Sequence, residues 1–522
     1  MTGGLRIGID VGGTNSDAAV LDPDDAILAT AKRPTTADVT GGILDALDAV
    51  LAADGVDRDG VEAVMLGTTH CTNALAEREG LHDVGVLRIG APATQCIPPL
   101  MEWPDDLVDA TGNHVTVVRG GHEFDGRELV PLDEPAVRDA AASFADAGVD
   151  AAAVTAVFSP VRADHEERAA TILSEVLDGD VPVSRSHEIG SVGLLDRENA
   201  TALNAALTGV AHEAAQAFLD AMAARDLDAR FYFGQNDGTL MDVEYALQYP
   251  IFTVASGPSN SVRGAAALSG VEDGIIVDVG GTTTDVGAVV NGFPRESTTA
   301  VEIAEVATNF RMPDLISIGV GGGSIVTADG AVTVGPESVG YELGRRARCF
   351  GGDVLTATDV AVAAGDVDIG STEPAADPAT VRAARTTIHD RIAETVDRMK
   401  TGPDTVPVVA VGGGSFLVPD DLAGASRVAE PAHHDVANAV GVAIAQVSGD
   451  VDRIYSLEER TRDDALTAAR EAAIADAVTA GARPDSVTIV DVEEVPLSYL
   501  PGNATRVKVK AAGDLDIGTN GG

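Results

Sequence analysis

Asp10-Val11-Gly12-Gly13-Thr14-Asn15-Ser16-Asp17 returns further along the chain as Asp278-Val279-Gly280-Gly281-Thr282-Thr283-Thr284-Asp285, with six of eight residues identical. Each copy lies between two apolar, strand-type runs, Leu5 to Ile9 and Ala18 to Leu21 around the first and Gly274 to Val277 before the second. Strand, glycine turn, strand is the pattern of a β-hairpin, and its duplication points to two related halves. The residue types suit a phosphate. Paired glycines let backbone approach a ligand with no Cβ in the way. Turn N–H groups form an anion-binding concavity, to which Thr14, Asn15, Thr282 and Thr283 add polar side chains. Asp10 and Asp278, at the ends of their strands, can hold Mg²⁺ through its waters, because that ion favours few carboxylates and keeps its hydration. Asp17 and Asp285 either cap the turns or activate a nucleophile.

Two further glycine loops follow apolar runs: Gly319-Val320-Gly321-Gly322-Gly323-Ser324 and Gly412-Gly413-Gly414-Ser415. Backbone free of side chains can lie flat against an adenine or ribose, so Gly321 to Gly323 and Gly412 to Gly414 are candidate nucleotide contacts. A Gly-x-x-x-x-Gly-Lys loop is absent, which excludes a P-loop protein. No Gly-x-Gly-x-x-Gly follows the first strand, which argues against a dinucleotide fold.

Around these loops the chain alternates strands and helices, an α/β pattern. Val61 to Leu66 reads as a buried strand delivering Gly67-Thr68-Thr69-His70, and a helix starts at 73. Helical spacing recurs over 40–53, 135–147, 196–225, 260–269 and 379–400. Residues 363–378, rich in Gly, Asp and Pro, read as a surface loop. Ala437 to Ala445 has the small residues of either a connecting helix at a hinge or a tightly packed buried helix. The tail reads as a charged helix over 458–480 followed by strands at 486–492 and 505–509.

Composition limits the setting. The 522 residues are 45% apolar and suit two or three domains. A formal charge of −47 repels nucleic acid and anionic lipid, so neither is an expected partner. The basic residues comprise only four lysines (Lys32, Lys400, Lys508, Lys510), the rest being arginine. Acidic residues are spread along the chain rather than gathered in one tail, as expected of a surface adapted to multimolar salt, where repulsion is screened. Three scattered cysteines fit neither a disulfide framework nor a zinc site. With no apolar span and no signal-peptide pattern, a cytoplasmic location is expected.

Together the two hairpins, the glycine loops and the small-residue helix resemble the actin-like ATPase (ribonuclease H-like) superfold. The implied architecture is two α/β domains flanking a cleft, with a small C-terminal αβ appendage over 451–522. Within that superfold the chain resembles the hydantoinase/5-oxoprolinase family, A-type subunit, over about residues 5–450. The matching stretches are Ile9 to Thr14, Leu66-Gly67-Thr68-Thr69-His70 with Thr72-Asn73-Ala74, and Arg197 to Thr201. Ser256-Gly257-Pro258, Val277 to Asp285, Gly319 to Ile325 and Arg348 to Gly352 with Thr356 to Asp359 complete them. The resemblance implies an N-terminal domain over 5–190 and an ATPase domain over 191–450. It implies ATP and Mg²⁺ as cofactors, opening of a hydantoin or 5-oxoproline type ring by phosphorylation of the amide oxygen, and a separately encoded B-type or other partner subunit. A homo-oligomer is also compatible. A small-molecule kinase and a non-enzymatic actin-like switch are the competing readings. Two departures stand out: Asn15-Ser16 replaces the family's Phe-Thr in the first hairpin, and Ser415-Phe416-Leu417-Val418 replaces a Pro-Leu-His type loop.

Thr68, Thr69 and Asn73 follow a strand, where α/β sheets place ligands, and are candidate substrate contacts. His70 beside them is either an acid or base or a structural hydrogen bonder. Cys71 raises a Cys–His nucleophile reading. Gly121-His122-Glu123-Phe124-Asp125-Gly126 is either a metal motif or, from its Asp-Gly, a hairpin turn. His433-His434 is a second pair of possible metal ligands without supporting spacing.

Overall fold

The computed structural model describes residues 4–516 apart from 13–14, 35–38, 178, 180, 298–300, 311, 329, 459 and 498–502. Gly13 and Thr14 therefore lie outside the described residues. Three sheets carry the structure. In the first, Leu5–Val11 pairs antiparallel with Asn15–Leu21 and parallel with Val61–Gly67. In the second, Gly274–Val279 pairs antiparallel with Thr284–Val290 and parallel with Val406–Val411. The equivalence extends to the register: Asp10 faces Asp17 and Asp278 faces Asp285. It extends also to the turn, where Gly12 N–H donates to the Asn15 carbonyl and Gly280 N–H to that of Thr283, each at 2.9 Å. The sequence repeat is thus a structural repeat, and the fold is α/β with the hairpin duplicated in two separate sheets.

Both halves meet at a pair of helices, Ser256–Ser269 and Ala437–Ala443. A Cβ on Gly264 would lie 1.8 Å from the Ala437 carbonyl oxygen, and one on Gly441 the same distance from that of Asn260. This reciprocal contact explains the small residues, since only hydrogen at the α-carbon lets two backbones come so near. Ala437–Ala443 also crosses the first strand, where a Gly8 Cβ would meet the Ala439 carbonyl oxygen at 2.1 Å.

The alternating pattern of the first third forms a separate four-stranded parallel sheet of His114–Arg119, Val84–Ala91, Ala151–Ala156 and Val183–Arg185. The 30-residue helix Leu194–Ala223 packs against it, with Arg197, Glu198, Asn199, Ala200 and Thr201 all buried. There Arg88 Nε donates to Glu198 Oε2 at 2.6 Å, and Trp103 Nε1 to Asn199 Oδ1 at 2.9 Å. The motif Arg197 to Thr201 therefore joins the sheet to the helix.

A cut at residue 190 does not follow the sheets. Arg230–Gly234 and Leu240–Asp242, beyond that position, are strands of the first sheet, pairing with Val61–Gly67 and with Val447–Tyr455. The C-terminal strands Thr488–Pro496 and Thr505–Gly513 join the same sheet through Val447–Tyr455, and Arg462–Thr479 packs on it. The αβ tail is thus added to one edge of the first sheet by strand pairing. Only hydrogen-bond registry between distant segments reveals this, and no local pattern carries it.

Candidate active site

Asp10 ends its strand 2% exposed, and both of its carboxylate oxygens are anchored. Asn260 Nδ2 donates to Oδ1 at 3.0 Å and Asn438 Nδ2 to Oδ2 at 3.1 Å. These asparagines sit on the two crossing helices, so the junction of the halves aims the carboxylate. Gly67, opposite Asp10 in the neighbouring strand, leaves it room: a Cβ there would fall 2.1 Å from Oδ1. Asp278 repeats the device, because a Cβ on Gly412 would lie 2.3 Å from its Oδ1. Gly412 also has a φ of +84°, which favours glycine.

Burial pushes the Asp10 and Asp278 carboxyls above their ordinary values, and the charge of Asp278 adds to the effect at Asp10. Asp285 is pushed up to about 6, and Asp17 to about 7, chiefly by burial. Buried Asp10 and Asp17, with half-buried Asp278 and Asp285 near them, favour a cation among them. One cation is already present: Lys32 Nζ lies 2.9 Å from the Asp17 carboxylate and donates to the Asp435 carbonyl at 2.7 Å. Asp10 and Asp278 fit the first carboxylates of a hydrated Mg²⁺, since each is desolvated and set in a cradle that a side chain would fill, and Asp10 is also oriented by two asparagines.

The second hairpin's turn is accessible, with Thr282 exposed and Gly281 and Thr283 partly so. The two glycine loops divide their roles. Gly321, Gly322 and Gly323 are buried. Gly322 N–H donates to the Gly280 carbonyl at 3.0 Å, and Gly323 N–H to that of Gly281 at 2.6 Å. Gly321 N–H donates to Ser324 Oγ at 2.8 Å. These three glycines brace the hairpin from behind, and their N–H groups are already used. Gly414 N–H donates to the Val279 carbonyl at 2.8 Å, whereas Gly413 is exposed with open space at its Cβ position, where a ligand can lie flat. His434 supports this loop, with Nδ1 3.1 Å from Ser415 Oγ and Nε2 2.9 Å from Glu430.

Thr68 directly follows Gly67, so the strand delivers it beside Asp10. Its Oγ1 is 2.5 Å from His70 Nδ1, an interaction within the loop that orients the ring. His70–Glu77 forms the helix, capped at Thr69, with Asn73 exposed one turn in. The N-terminus of Ser256–Ser269 also opens here, a Gly257 Cβ position being 3.9 Å from Asp10 Oδ2. The N–H groups of its first turn add to the anion-attracting character.

Cys71 is buried and its thiol is pushed up to about 11 by desolvation, so it is no thiolate beside His70. The His122 segment is the hairpin turn: Glu123 N–H donates to the Arg127 carbonyl, and His122 bridges Glu128. His122, Asp164 and His165 do converge. However, Gly121 N–H donates to His165 Nδ1 at 2.9 Å, which leaves Nε2 carrying the proton toward Glu128 and gives that ring no lone pair for a metal. Asn260, Asn438 and Lys32 were absent from the sequence-based candidates. Lys32 had a signal in its rarity, and Asn438 lies in the small-residue stretch; Asn260 had none beyond following Ser256-Gly257-Pro258.

Two strand-borne carboxylates and an accessible glycine-threonine turn thus stand at the duplicated hairpins. The chain belongs to the hydantoinase/oxoprolinase family: its N-terminal region matches residues 6–177, and its hydantoinase/oxoprolinase domain matches residues 197–394. The chain is 28% identical over 459 residues to the acetophenone carboxylase gamma subunit of Aromatoleum aromaticum, covering 81% of this chain and 60% of that one. It is 29% identical over 417 residues to the caprolactamase subunit alpha of Pseudomonas jessenii, covering 74% and 58%. The chain thus spans about three fifths of the length of these relatives. Among solved structures, the ATP-dependent caprolactamase of Pseudomonas jessenii superposes with a TM-score of 0.76 at 21% identity, over 97% of this chain and 87% of that one. Nucleotide-free acetone carboxylase superposes with a TM-score of 0.69 at 17% identity, over 98% and 88%. Among the described residues no helix is long and apolar enough to cross a membrane.

Proposed function

We propose that this chain is the ATP-binding subunit of an enzyme that opens a cyclic amide of hydantoin or 5-oxoproline type, working with a separate partner subunit. The observation that carries the reading is the paired arrangement of Asp10 and Asp278, each set in a glycine cradle beside a phosphate-type hairpin. Membership of the hydantoinase/oxoprolinase family supports it, as do relatives whose names describe them as subunits.

The hairpin turns and the start of Ser256–Ser269 bind the polyphosphate through backbone N–H groups and Thr282 and Thr283 hydroxyls. Asp10 and Asp278 would hold Mg²⁺, which neutralises developing charge on the transferring phosphoryl group. The ring amide oxygen attacks the γ-phosphorus, forming an O–P bond while the bond to the β–γ bridging oxygen breaks and ADP departs. The ring nitrogen's proton is released to solvent. A poor electrophile has then become one that water attacks, because phosphate withdraws electrons from the amide carbon. Asn260 and Asn438 keep Asp10 in place throughout, which supplies preorganisation.

The test is ADP release in about 2 M KCl, chosen to screen the surface charge. Mg-ATP is supplied with hydantoin, 5-oxoproline or caprolactam, and separately with acetone or acetophenone plus bicarbonate. Ring-dependent release lowered at least a hundredfold by Asp10→Ala and by Asp278→Ala is the expected result. Release driven only by ketones would move the reading to carboxylation, and failure to bind ATP would end it.

A further inference from the structure

A second cleft, of about 750 Å³, opens on the wall of the first sheet near the start of the helix Leu194–Ala223. That volume is within the usual range for a small-molecule site. His187 lines it. Behind His187 stands Glu166, fully buried on the helix Asp164–Val176, whose carboxylate collects four donors. Ala156 N–H reaches Oε1 at 2.7 Å and His187 N–H reaches Oε2 at 3.1 Å. Ser186 Oγ donates to Oε1, and His187 Nδ1 lies 2.5 Å from Oε2. Arg197 Nε in turn donates to Ser186 Oγ at 2.9 Å. Burial opposes ionisation of Glu166, but the His187 bond and the charges of His187 and Arg197 outweigh it and hold the carboxyl below its ordinary range.

This arrangement settles the tautomer of His187. Nδ1 carries a proton toward Glu166, and Nε2, with no hydrogen-bond partner among the described residues, remains for the cleft. Burial lowers the affinity of the imidazole for a proton, but the Glu166 bond and charge raise it further, and the net shift is upward. Besides Glu166, the charged groups acting on the ring are Glu188 and Arg185.

Part of the remaining wall suits a flat ring, and the rest is charged, with Glu188, Asp196, Glu296, Asp450, Arg453 and Lys508 among its residues. Aromatic residues make up only 3% of the chain, yet Tyr245, Phe252 and Phe310 meet here. Tyr245 and Phe252 are near parallel at a centroid separation of 6.3 Å, and Phe310 stands edge-on to Phe252 at 5.9 Å. One helix contacts both the cleft wall and the phosphate site. The carbonyl of Asn236, in its wall, accepts from Ser259 Oγ, and the next residue, Asn260, holds Asp10.

We propose that this cleft binds the cyclic amide and that His187, positioned by Glu166, is the catalytic residue that moves the proton when water opens the ring. The assignment rests on the ring-activation reading above. Water oxygen adds to the phosphorylated amide carbon as Nε2 takes one of its protons and passes it to the ring nitrogen. The C–N bond then breaks as the new hydroxyl becomes a carbonyl, and that hydroxyl's proton follows through Nε2 to the leaving nitrogen, which departs as an amine. The carbon retains its phosphate as an acyl phosphate, which a second water converts to carboxylate and inorganic phosphate.

Three measurements on the full chain decide it: binding of a non-hydrolysable ATP analogue, calorimetric binding of hydantoin, 5-oxoproline and caprolactam, and ring-dependent ADP release. Tyr245→Ala, at an exposed position, is expected to weaken ring binding at least tenfold and leave analogue binding unchanged. His187→Asn is expected to keep ring binding within about threefold and to lower kcat at least a hundredfold. Glu166→Gln, with folding checked by its melting temperature, is expected to move the acidic limb of the kcat profile to lower pH, because the imidazole loses its anionic partner. Ring binding that is unchanged in Tyr245→Ala, or absent in the wild type while the analogue still binds, overturns the assignment. So does turnover within threefold in His187→Asn. Absence of ring-dependent turnover by the chain alone, with ring and analogue both bound, overturns the role of His187, because the proton step then lies in the partner subunit. Failure of the ring-activation reading looks different: the analogue does not bind, or Asp10→Ala leaves turnover intact.

Discussion

At Asp10 and Asp278 the space beside a carboxylate is as important as the carboxylate. Gly67→Ala places a methyl group 2.1 Å from Asp10 Oδ1 and 2.5 Å from Asn260 Nδ2, so the anchor itself must move. Overpacking of this kind costs about 1–3 kcal/mol. Analogue binding by Gly67→Ala is expected to weaken at least tenfold, beyond what its small drop in melting temperature explains; binding equal to wild type would contradict the cradle. The hairpin acids report on pH. Asp285 is pushed up to about 6, against about 3.9 when unfolded. The folded state therefore holds this proton more tightly, and its contribution is complete below about pH 4 and is lost as pH rises through 6, by about 3 kcal/mol at most. In Asp285→Asn that component vanishes, so its unfolding midpoint should fall less than the wild type's between pH 4.5 and 7.5 at equal salt. Identical slopes would show that the carboxyl is not buried as described. These acids were legible from the repeat, because turn chemistry is local. Lys32, Asn260 and Asn438 were not, because their partners are distant in the chain.

Among the elements, the helix Leu194–Ala223 ties the parallel sheet to the rest of the molecule through Arg88 and Glu198, an ion pair with side chains 0% and 2% exposed. Removing one member leaves the other charge buried and unpaired, a loss of about 3–5 kcal/mol. Arg88→Leu should lower the denaturation midpoint by that amount, and Arg88→Leu with Glu198→Leu should recover much of it. Equal destabilisation in the single and double variants would show that packing, not charge, dominates. Periodicity announced this helix over 196–225, and Leu194–Ala223 agrees to within two residues at each end. The helix expected from 73 instead begins at His70. Its first turn is fixed by the Thr68–His70 contact rather than by apolar spacing.

For the whole molecule, the −47 charge is the dominant long-range term. Screening shortens the reach of these charges from about 10 Å at 0.1 M salt to about 3 Å at 1 M. The protein is expected to melt at lower temperature and lose analogue binding in about 50 mM KCl relative to about 2 M. Equal stability and binding in both would remove the salt requirement. The acidic surface leaves the interior unchanged: the buried core is built of Val, Ala, Ile and Leu as in any α/β protein.

From the amino-acid order alone followed the duplicated hairpins, the α/β alternation, the carboxylates at the strand ends and the close-packing small-residue helix. Each depends on residues near in sequence, where glycine conformation and apolar period act directly. Tertiary structure alone decided which segments share a sheet, so that the C-terminal strands extend the first one. It alone also joined Asn438 to Asp10, 428 positions apart, and Glu166 to His187 across a helix and a strand. Such contacts form only when packed elements bring side chains within about 3 Å of one another, a condition that no local pattern records.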